Sequence, residues 1–307
     1  MQQITLEQLL EAGCHFGHKA ERWHPKASEF IWAEKDGIHI IDLAKTKAGL
    51  DAAIAFISEL AAAGSTVLFV GTKRQARGVV REAAQKAGAS YLTQRWIGGF
   101  MTNWEGVHKN IQKIIKMMED QKSGAWKKFP KHEQTKMARY LNRLNVDYEG
   151  VLMLNDLPKA IVVVDVRKEQ SAVREAQRLG IPVIGIVDTN ANPSDITYVI
   201  PANDDAVGSV QLIISAIAEA YREGHEKMEK ETLRQNSEQA AKAAAAVKAE
   251  EAKKAAEAKA KPVAAVGVSQ PNVPVEPVAH APAKEASKTE KLEKKSGRAK
   301  KIETNPL

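Results

Sequence analysis

The sequence predicts an α/β protein built on a doubly wound parallel sheet, with an inserted antiparallel helical hairpin and a low-complexity C-terminal tail. Three observations lead to this prediction. Short continuous apolar runs, typical of strands buried on both faces, alternate with amphipathic segments of helical period. Two further amphipathic segments interrupt this alternation at 103–155. All aromatic residues lie at or before Tyr221, so the last part of the chain lacks the large apolar side chains that a packed core requires.

The elements of the α/β core follow from these patterns in order. The expected helices, most of which end at a glycine, are 4–12, 43–63, 73–87, 168–179 and 205–222. The expected strands are 30–33, 38–41, 66–71, 160–165, 182–187 and 197–200. The first two strands flank the turn signal Asp36-Gly37 and are expected to pair antiparallel. The later strands alternate with helices, which predicts a parallel sheet with right-handed crossovers.

The inserted segment is expected to form two antiparallel helices with a basic outer face. Its apolar residues recur at helical spacing on both sides of a Gly/Pro-containing turn: Val107, Ile111, Ile114, Ile115 and Met118, then Met137, Leu141, Leu144 and Tyr148. Ten Lys and Arg residues stand against six Asp and Glu residues in this segment, which gives it a net charge of +4. The rest of the α/β core is left with a net charge of −2.

Three parts are therefore expected along the chain. Residues 1–102 and 156–224 form a discontinuous α/β domain, residues 103–155 form the inserted hairpin, and residues 225–307 form a disordered tail. The tail holds 17 Lys and Arg residues against 12 Glu residues and half of the 12 prolines. Its Ala/Lys/Glu-rich first part, up to 261, is expected to be transiently helical, and its mixed charges favour a solvated segment.

Several classes of protein are excluded by simple counts. The single cysteine, Cys14, excludes an intrachain disulfide framework and a cysteine-rich zinc module. No apolar run is long enough to span a membrane, and Met1 leads directly into a polar segment without the features of a signal peptide. We therefore expect a cytoplasmic protein with no membrane partner.

The segment Gly71-Thr72-Lys73-Arg74 follows a buried strand and opens a helix. Free backbone N–H groups at a helix start, beside Lys73 and Arg74, can hold a phosphate. The glycine-rich patterns that bind nucleotides are absent at this place, so contact with an RNA backbone phosphate is the functional interpretation. A helix start that is simply solvated is the alternative.

The stretch 94–104 is the most unusual in composition. Its candidate RNA-binding residues are Arg95, Trp96, Gly98, Gly99, Thr102, Asn103 and Trp104. Adjacent glycines let a backbone approach a partner closely, and aromatic faces beside arginine stack on unpaired bases. The alternative is equally strong: Trp96 and Phe100 belong to the core, and the glycines form the turn into the hairpin.

The N-terminal loop and the ends of the later strands supply two more candidate groups. The loop residues Arg22, Trp23 and Lys26 form a second basic and aromatic group. Asp188 ends one strand, and Asp204 and Asp205 follow the next, so their carboxylates converge at the same sheet edge. With His18 of the N-terminal loop, they are candidate ligands for a divalent metal ion. Helix capping by Asp204 or Asp205 is the alternative.

Seven ordered motifs carry a resemblance to a known family. They are LLEAGCHFGH, IIDLAKT, VLFVGTKRQA, RWIGGFMTNW, LPKAIVVVD, LGIPVIGIVDTNANP and IPANDDA. Over about residues 4–222 the chain resembles the bacterial small ribosomal subunit protein two family. The resemblance implies a flavodoxin-like α/β domain with an inserted coiled-coil arm, and a structural, non-catalytic role in translation. It implies contact with small-subunit rRNA and with neighbouring ribosomal proteins, including the large mRNA-binding protein one. No contact with DNA is expected.

The leading hypothesis is therefore a ribosomal RNA-binding scaffold. On the hairpin, the candidate phosphate contacts are Lys109, Lys113, Lys116, Lys136, Arg139 and Arg143. Together with the loop residues named above, they form the candidate RNA-binding set. Lysines and arginines neutralise phosphates, and tryptophans stack on bases. The competing hypothesis is an α/β enzyme that binds a nucleotide or a sugar phosphate at the carboxyl ends of the strands.

Overall fold

The structure is a computed structural model that describes residues 4–259, with side chains described for 4–234. The chain divides into two compact units, residues 1–248 and residues 249–307. The described part of the second unit, residues 249–259, is helical. None of the helices in the part of the chain that the structure describes is both long enough and apolar enough to cross a membrane.

Fifteen helices and strands, apart from short 3₁₀ turns, follow one another along the described chain. The first eight are α1 (Leu6–Glu11), β1 (Phe16–Lys19), β2 (Ile31–Lys35), β3 (Ile38–Ile41), α2 (Leu43–Ala62), β4 (Val67–Val70), α3 (Arg77–Ala87) and β5 (Ser90–Leu92). The others are α4 (Trp104–Lys122), α5 (Lys131–Tyr148), β6 (Ala160–Val164), α6 (Gln170–Arg178), β7 (Val183–Val187), β8 (Tyr198–Pro201) and α7 (Val207–Lys259).

Five parallel strands form the central sheet, in the order β5-β4-β6-β7-β8. This is the 2-1-3-4-5 order of flavodoxin-like sheets. The central strands β4, β6 and β7 are buried at every position, as their continuous apolar runs predict. The predicted α/β class with a parallel sheet is therefore confirmed.

Helices cover both faces of this sheet, because alternate strand residues point to opposite sides. Phe69, Val162 and Ile186 pack in one apolar cluster with residues of α2, α3 and α7. The neighbouring positions Leu68 and Val163 pack in a second cluster with residues of α4, α5 and α6. The core thus has two layers, and the inserted helices contribute to one of them.

Two strands are absent from the sequence-based prediction. β1 was expected to be part of a loop, but it pairs antiparallel with β3 in a three-stranded sheet of order β1-β3-β2. It has no buried residue, so it lacks the apolar alternation that marks a strand. β5 has only three residues, which are too few to show the apolar pattern of a strand. The predicted antiparallel pair on either side of Asp36-Gly37 is present as β2 and β3.

Helix boundaries differ from the prediction at α3 and α7. α3 begins at Arg77 and not at Lys73, because the chain first makes a turn in which the Ala76 N–H donates to the carbonyl of Lys73. α7 was expected to end at 222, but it continues to Lys259. The helix therefore includes much of the segment that was assigned to a disordered tail. The rest of that predicted tail, residues 260–307, lies outside the described residues.

We call residues Trp104–Tyr148 the two-helix insertion, because α4 and α5 lie between β5 and β6 of the sheet. Gly124, in the left-handed conformation at φ 75°, begins the connection between the two helices. Ile111 and Ile114 of α4, Trp126 of the connection and Leu141 of α5 are buried in the same apolar cluster. Ile111, Ile114 and Leu141 fall at the helical spacing that predicts both helices, whereas Trp126 was not among the predicted apolar positions.

Candidate nucleic-acid interface

Four strand ends bring charged residues together at the carboxyl edge of the parallel sheet. Lys73 follows β4, Asp165 follows β6, Asp188 follows β7 and Asp204 follows β8. The Lys73 ammonium lies 2.7 Å from a carboxylate oxygen of Asp204, 2.7 Å from one of Asp205 and 3.3 Å from one of Asp165. Only 13% of the Lys73 side chain is exposed. Because this ammonium group is paired within the protein, we leave Lys73 out of the candidate RNA surface.

His18 of β1 belongs to the same charged cluster. Its Nδ1 lies 3.1 Å from Asp188 Oδ2, and its Nε2 lies 3.4 Å from Asp205 Oδ2. His18, Asp188 and Asp204 each offer one ligand atom, and these atoms all lie within 4.8 Å of one another. Asp205 is not a member of this close group of three. The predicted convergence of carboxylates is therefore present, with Lys73 as a second cation that already neutralises part of it.

The titration of this cluster reflects its excess of carboxylates. The first effect is burial, which together with the nearby charges of Asp165 and Asp188 raises the pKa of Asp204 to about 7. Proximity to Asp188 raises the pKa of His18 against the opposing effect of burial. Burial lowers the pKa of Lys73, but its contacts with Asp204 and Asp205 outweigh burial and raise it. The cluster thus favours cationic His18 and Lys73, and its Asp204 carboxyl holds a proton up to about pH 7.

A buried glutamate occupies the place where a nucleotide phosphate would bind in an α/β enzyme. The carboxylate of Glu169, after β6, accepts a hydrogen bond from the Thr72 hydroxyl and one of 3.3 Å from the Thr72 N–H. Lys168 donates to the Thr72 carbonyl at 3.0 Å. These contacts lie between the ends of β4 and β6, where the strand order reverses and ligands usually bind. The Thr72 N–H, the Thr72 hydroxyl and the Lys73 ammonium are therefore already paired within the protein at this point.

Glu175 of α6 organises the loop that precedes the two-helix insertion. One carboxylate oxygen accepts from Trp96 Nε1 at 2.9 Å and from the Gly99 N–H at 2.8 Å. The other accepts from the Met101 N–H at 3.0 Å, and from the N–H and hydroxyl of Thr102 at 3.3 Å each. Burial raises the pKa of this carboxyl, but the hydrogen bonds outweigh burial and lower it. Glu175 was not among the predicted site residues, although an acid on the apolar side of the predicted helix, between Ala172 and Ala176, indicates a buried carboxylate with partners.

The aromatic residues of this loop pack largely inside the protein. Phe100 is fully buried, with its ring centroid 5.5 Å from that of Trp96 and 5.7 Å from that of Trp104. Trp96 and Trp104 are half-buried against the same apolar cluster. Gly98 and Asn103 are exposed at the surface of the loop. Most of the surface of these rings is therefore buried in the core, as one of the two interpretations predicts. The backbone around Gly98 remains exposed and accessible to a partner.

The six candidate cations of the two-helix insertion are all exposed. Lys109, Lys113 and Lys116 recur at helical spacing on α4, and Lys136, Arg139 and Arg143 do so on α5. Tyr140 joins the two rows: Lys113 Nζ lies 5.1 Å and Arg143 Cζ 5.6 Å from the centre of its ring. Within residues 4–234, none of the six cations forms an ion pair with a carboxylate. The connection adds exposed lysines that the sequence analysis did not single out, namely Lys122, Lys127, Lys128 and Lys131.

The other predicted contacts lie in loops. Arg22, Trp23 and Lys26 are exposed in the N-terminal loop, where Lys26 donates to Ser194 Oγ at 2.9 Å. Arg74 is exposed after β4. Arg95 is exposed but forms an ion pair of 2.8 Å with Asp147 of the insertion. The structure therefore brings Arg95 to the base of the insertion and keeps Arg22 and Trp23 on the sheet edge.

Fold and charge together define an α/β protein with an internally paired cluster around Lys73 at the sheet edge, and with two rows of exposed cations on a helical insertion that form no ion pair within residues 4–234. Residues 9–224 match the family model of "Ribosomal protein S2". The chain is 48% identical over 74% of its length to "Small ribosomal subunit protein uS2" of Coprothermobacter proteolyticus, covering 84% of that protein. It is 46% identical over 75% of its length to the proteins of the same name from Koribacter versatilis and Dictyoglomus thermophilum, covering 76% and 94% of them. The chain belongs to the Ribosomal protein S2 family.

Proposed function

We propose that the chain is a structural constituent of the small ribosomal subunit, where it binds rRNA and neighbouring ribosomal proteins during translation. Membership of the family supports this role, as does the name of its relatives. The protein is not an enzyme. The observation that carries the RNA-binding part is the double row of unpaired cations on the two-helix insertion.

The insertion is suited to RNA because its cations are exposed, unpaired and spaced along two helices. The phosphate backbone supplies most of the affinity in such contacts, and lysine and arginine neutralise it. In this proposal α4 and α5 form an antiparallel coiled coil that presents both rows to rRNA. The RNA-binding residues on it are Lys109, Lys113, Lys116, Lys136, Arg139 and Arg143.

The loops add a second set of RNA contacts. These are Arg22, Trp23, Lys26, Arg74 and Arg95, with the exposed backbone of Gly98 and the side chain of Asn103. The half-buried rings of Trp96 and Trp104 and the hydroxyl of Thr102 act mainly by holding the loop in shape. In this proposal the insertion spans 103–155 within an α/β domain of 1–102 and 156–224, so most of the loop contacts lie on the α/β domain.

Protein neighbours are supported by apolar side chains that the fold leaves exposed. Trp32 of β2 is 73% exposed and Phe16 of β1 is 51% exposed. Both belong to the small antiparallel sheet and provide surface for a protein contact. We include among the neighbours the large mRNA-binding protein one that the family resemblance implies, and we place the assembly in the cytoplasm.

A divalent metal ion is a further part of the proposal. An imidazole and two buried carboxylates within 4.8 Å of one another form a donor set that suits zinc. His18, Asp188 and Asp204 would hold the ion, with Asp205 beside them and Lys73 as its competitor. Calorimetric titration of chelator-treated protein with Zn²⁺ should give binding heat that is lost in His18→Ala. An absence of heat in the unsubstituted protein would remove the metal from the proposal.

The RNA-binding role can be tested with matched triple variants. Lys109, Lys116 and Lys136 are replaced by Gln in one protein, and Lys86, Lys159 and Arg178, exposed cations of the α/β body, in the control. Binding of small-subunit rRNA is then measured over a series of salt concentrations. The insertion variant should bind more weakly, and its log–log salt slope should fall by roughly 0.9 for each lost contact with a duplex phosphate. The control should keep the slope of the unsubstituted protein.

Two outcomes would contradict this proposal. Equal loss of affinity in both triple variants would mean that net charge alone, and not the insertion, determines binding. Normal incorporation of the insertion variant into reconstituted small subunits, with an unchanged salt slope, would remove the insertion from the RNA interface.

A further inference from the structure

A cavity of about 530 Å³ opens at the carboxyl edge of the parallel sheet, beside the charged cluster of Lys73. Its floor comes from the segments after β6 and β7, and the N-terminal loop forms one wall. The lining residues that matter are Arg22, Trp23, Arg167, Gln170, Asn190 and Asn192. The volume is within the range of sites that hold small organic ligands.

The charge of the cavity is positive and unpaired. Arg22 and Arg167 are both exposed, and neither forms an ion pair or a hydrogen bond within the described side chains, 4–234. Asp195 is the only carboxylate residue of the lining. Two free guanidinium groups against one carboxylate favour an anionic ligand, and a guanidinium fork matches the oxygens of a phosphate.

An aromatic face is present in the same cavity. Trp23 is 41% exposed, and its ring lies with its centroid 5.6 Å from that of His39, which is buried. The backbone next to it is fixed, since the His24 N–H donates to the carbonyl of Thr189 at 2.7 Å. A tryptophan that is both exposed and held in place offers a stacking surface at low entropic cost.

Amide groups complete the lining. The Oδ1 atom of Asn190 is buried and accepts no hydrogen bond from the residues that the structure describes. Such an acceptor is costly to bury alone, and its burial keeps it from a ligand in the cavity. The Asn192 side chain already accepts from the Ser194 N–H at 3.1 Å. The exposed Gln170 is therefore the amide group able to contact the edge of a base.

From these features we infer that the cavity binds one unstacked nucleotide, with its base on Trp23 and its phosphate between Arg22 and Arg167. A polymer is favoured over a free nucleotide because the exposed Lys26, three residues after Trp23 and hydrogen-bonded to Ser194 beside the lining residue Asp195, adds a further cation at the rim of the cavity. The ligand is therefore a flipped-out residue of single-stranded RNA. This inference rests on the proposed RNA-binding function and assigns it a second, base-stacking site apart from the two-helix insertion.

The test uses the full chain and a fluorescently labelled hexa-adenylate as the RNA probe, followed by anisotropy. Trp23→Ala should weaken binding about tenfold, within the range measured for loss of one base-stacking contact. Arg167→Gln should weaken it several-fold and reduce its salt dependence. Matched controls are Trp32→Ala, an exposed tryptophan outside the cavity, and Arg178→Gln, an exposed arginine at the other end of α6. Both controls should bind within twofold of the unsubstituted protein.

Several results would overturn the inference. One is affinity within twofold of the unsubstituted protein for both Trp23→Ala and Arg167→Gln, with unchanged urea unfolding curves. Another is equal weakening by the two control variants. Competition by AMP at the same concentration as hexa-adenylate would assign the cavity to a free nucleotide and not to RNA. The triple insertion variant, tested on rRNA beside these proteins, separates the two proposals, because its effect does not depend on the cavity.

Discussion

The carboxyl edge of the parallel sheet and the two-helix insertion are both rich in charged residues, but they use charge in opposite ways. At the sheet edge, Lys73 contacts three carboxylates, and Glu169 accepts hydrogen bonds from Thr72. On the insertion, six cations lie exposed without a carboxylate partner among residues 4–234. The charges of the Lys73 cluster are therefore occupied within the protein, and those of the insertion remain available to a partner.

The contrast shows that the density of charged residues does not by itself mark a binding surface. A charge that is buried and paired contributes to the folded state and has little left for a ligand. A charge that is exposed and unpaired contributes little to folding but adds to the attraction of a polyanion. Substitutions in the two regions should therefore affect different measurements.

The largest effect on stability is expected for Glu175→Ala. The change leaves the buried N–H group of Met101 and the part-buried N–H groups of Gly99 and the Trp96 indole without an acceptor. We expect a loss of about 4 kcal/mol in the free energy of unfolding, as for removal of one member of a buried charged network. Urea unfolding measures it, with Arg174→Ala, an exposed neighbour on α6, as the control. A loss below about 1 kcal/mol would mean that the loop finds other acceptors.

A smaller effect is expected from the titration of Asp204. Its pKa in the folded protein, about 7, lies above the ordinary value of 3.8, so the folded state holds a proton that the unfolded state has released. The free energy of unfolding should therefore fall as pH rises between these values, by up to about 1.4 kcal/mol per pH unit. The raised pKa of His18 acts in the same direction, because its stabilising charge is lost as pH rises through the folded value.

Urea unfolding in the presence of a chelator at pH 5.5, 6.5 and 7.5 tests this pH dependence. Asp204→Asn should flatten the decline, whereas Asp205→Asn, whose side chain is 51% exposed, should leave most of it in place. An identical decline in both variants would show that other groups cause it.

The smallest effect on stability is expected in the insertion. Replacement of Lys109, Lys116 and Lys136 by Gln should change the free energy of unfolding by less than about 0.5 kcal/mol, since no ion pair is lost. The same protein should show the largest loss of rRNA affinity in the set. A loss of more than about 1 kcal/mol in this variant would contradict the prediction that the insertion cations contribute little to stability.

The sequence predicted the elements whose burial is continuous or periodic. β4, β6 and β7 are apolar at nearly every position, and α4 and α5 carry apolar residues at helical spacing. β1 and β5 escaped prediction because a short or exposed strand depends on its neighbours and not on its own pattern. The extension of α7 to Lys259 was predicted only as a transient helix up to 261, because an Ala/Lys/Glu-rich segment fits both a solvated chain and a helix.

The sequence predicted which residues gather at the candidate site, but not which of them are paired within the protein. The convergence of Asp188 and Asp204 followed from the rule that parallel strands end at one edge. The pairing of Lys73 with these acids could not be predicted from that rule, because a lysine after a strand can point to solvent or to a neighbour. Arg167 and Asn190 lie far apart in the sequence, so the cavity that joins them to Trp23 appears only in three dimensions.

Glu169 has a consequence for how such a scaffold behaves in a changing cell. In an enzyme of this architecture, the anion at the strand-order reversal comes and goes with metabolite supply. Here the chain provides its own anion as a side chain, bound to Thr72 whenever the protein is folded. The loops after β4 and β6 are therefore held together by these side-chain contacts whether or not a phosphate compound is present.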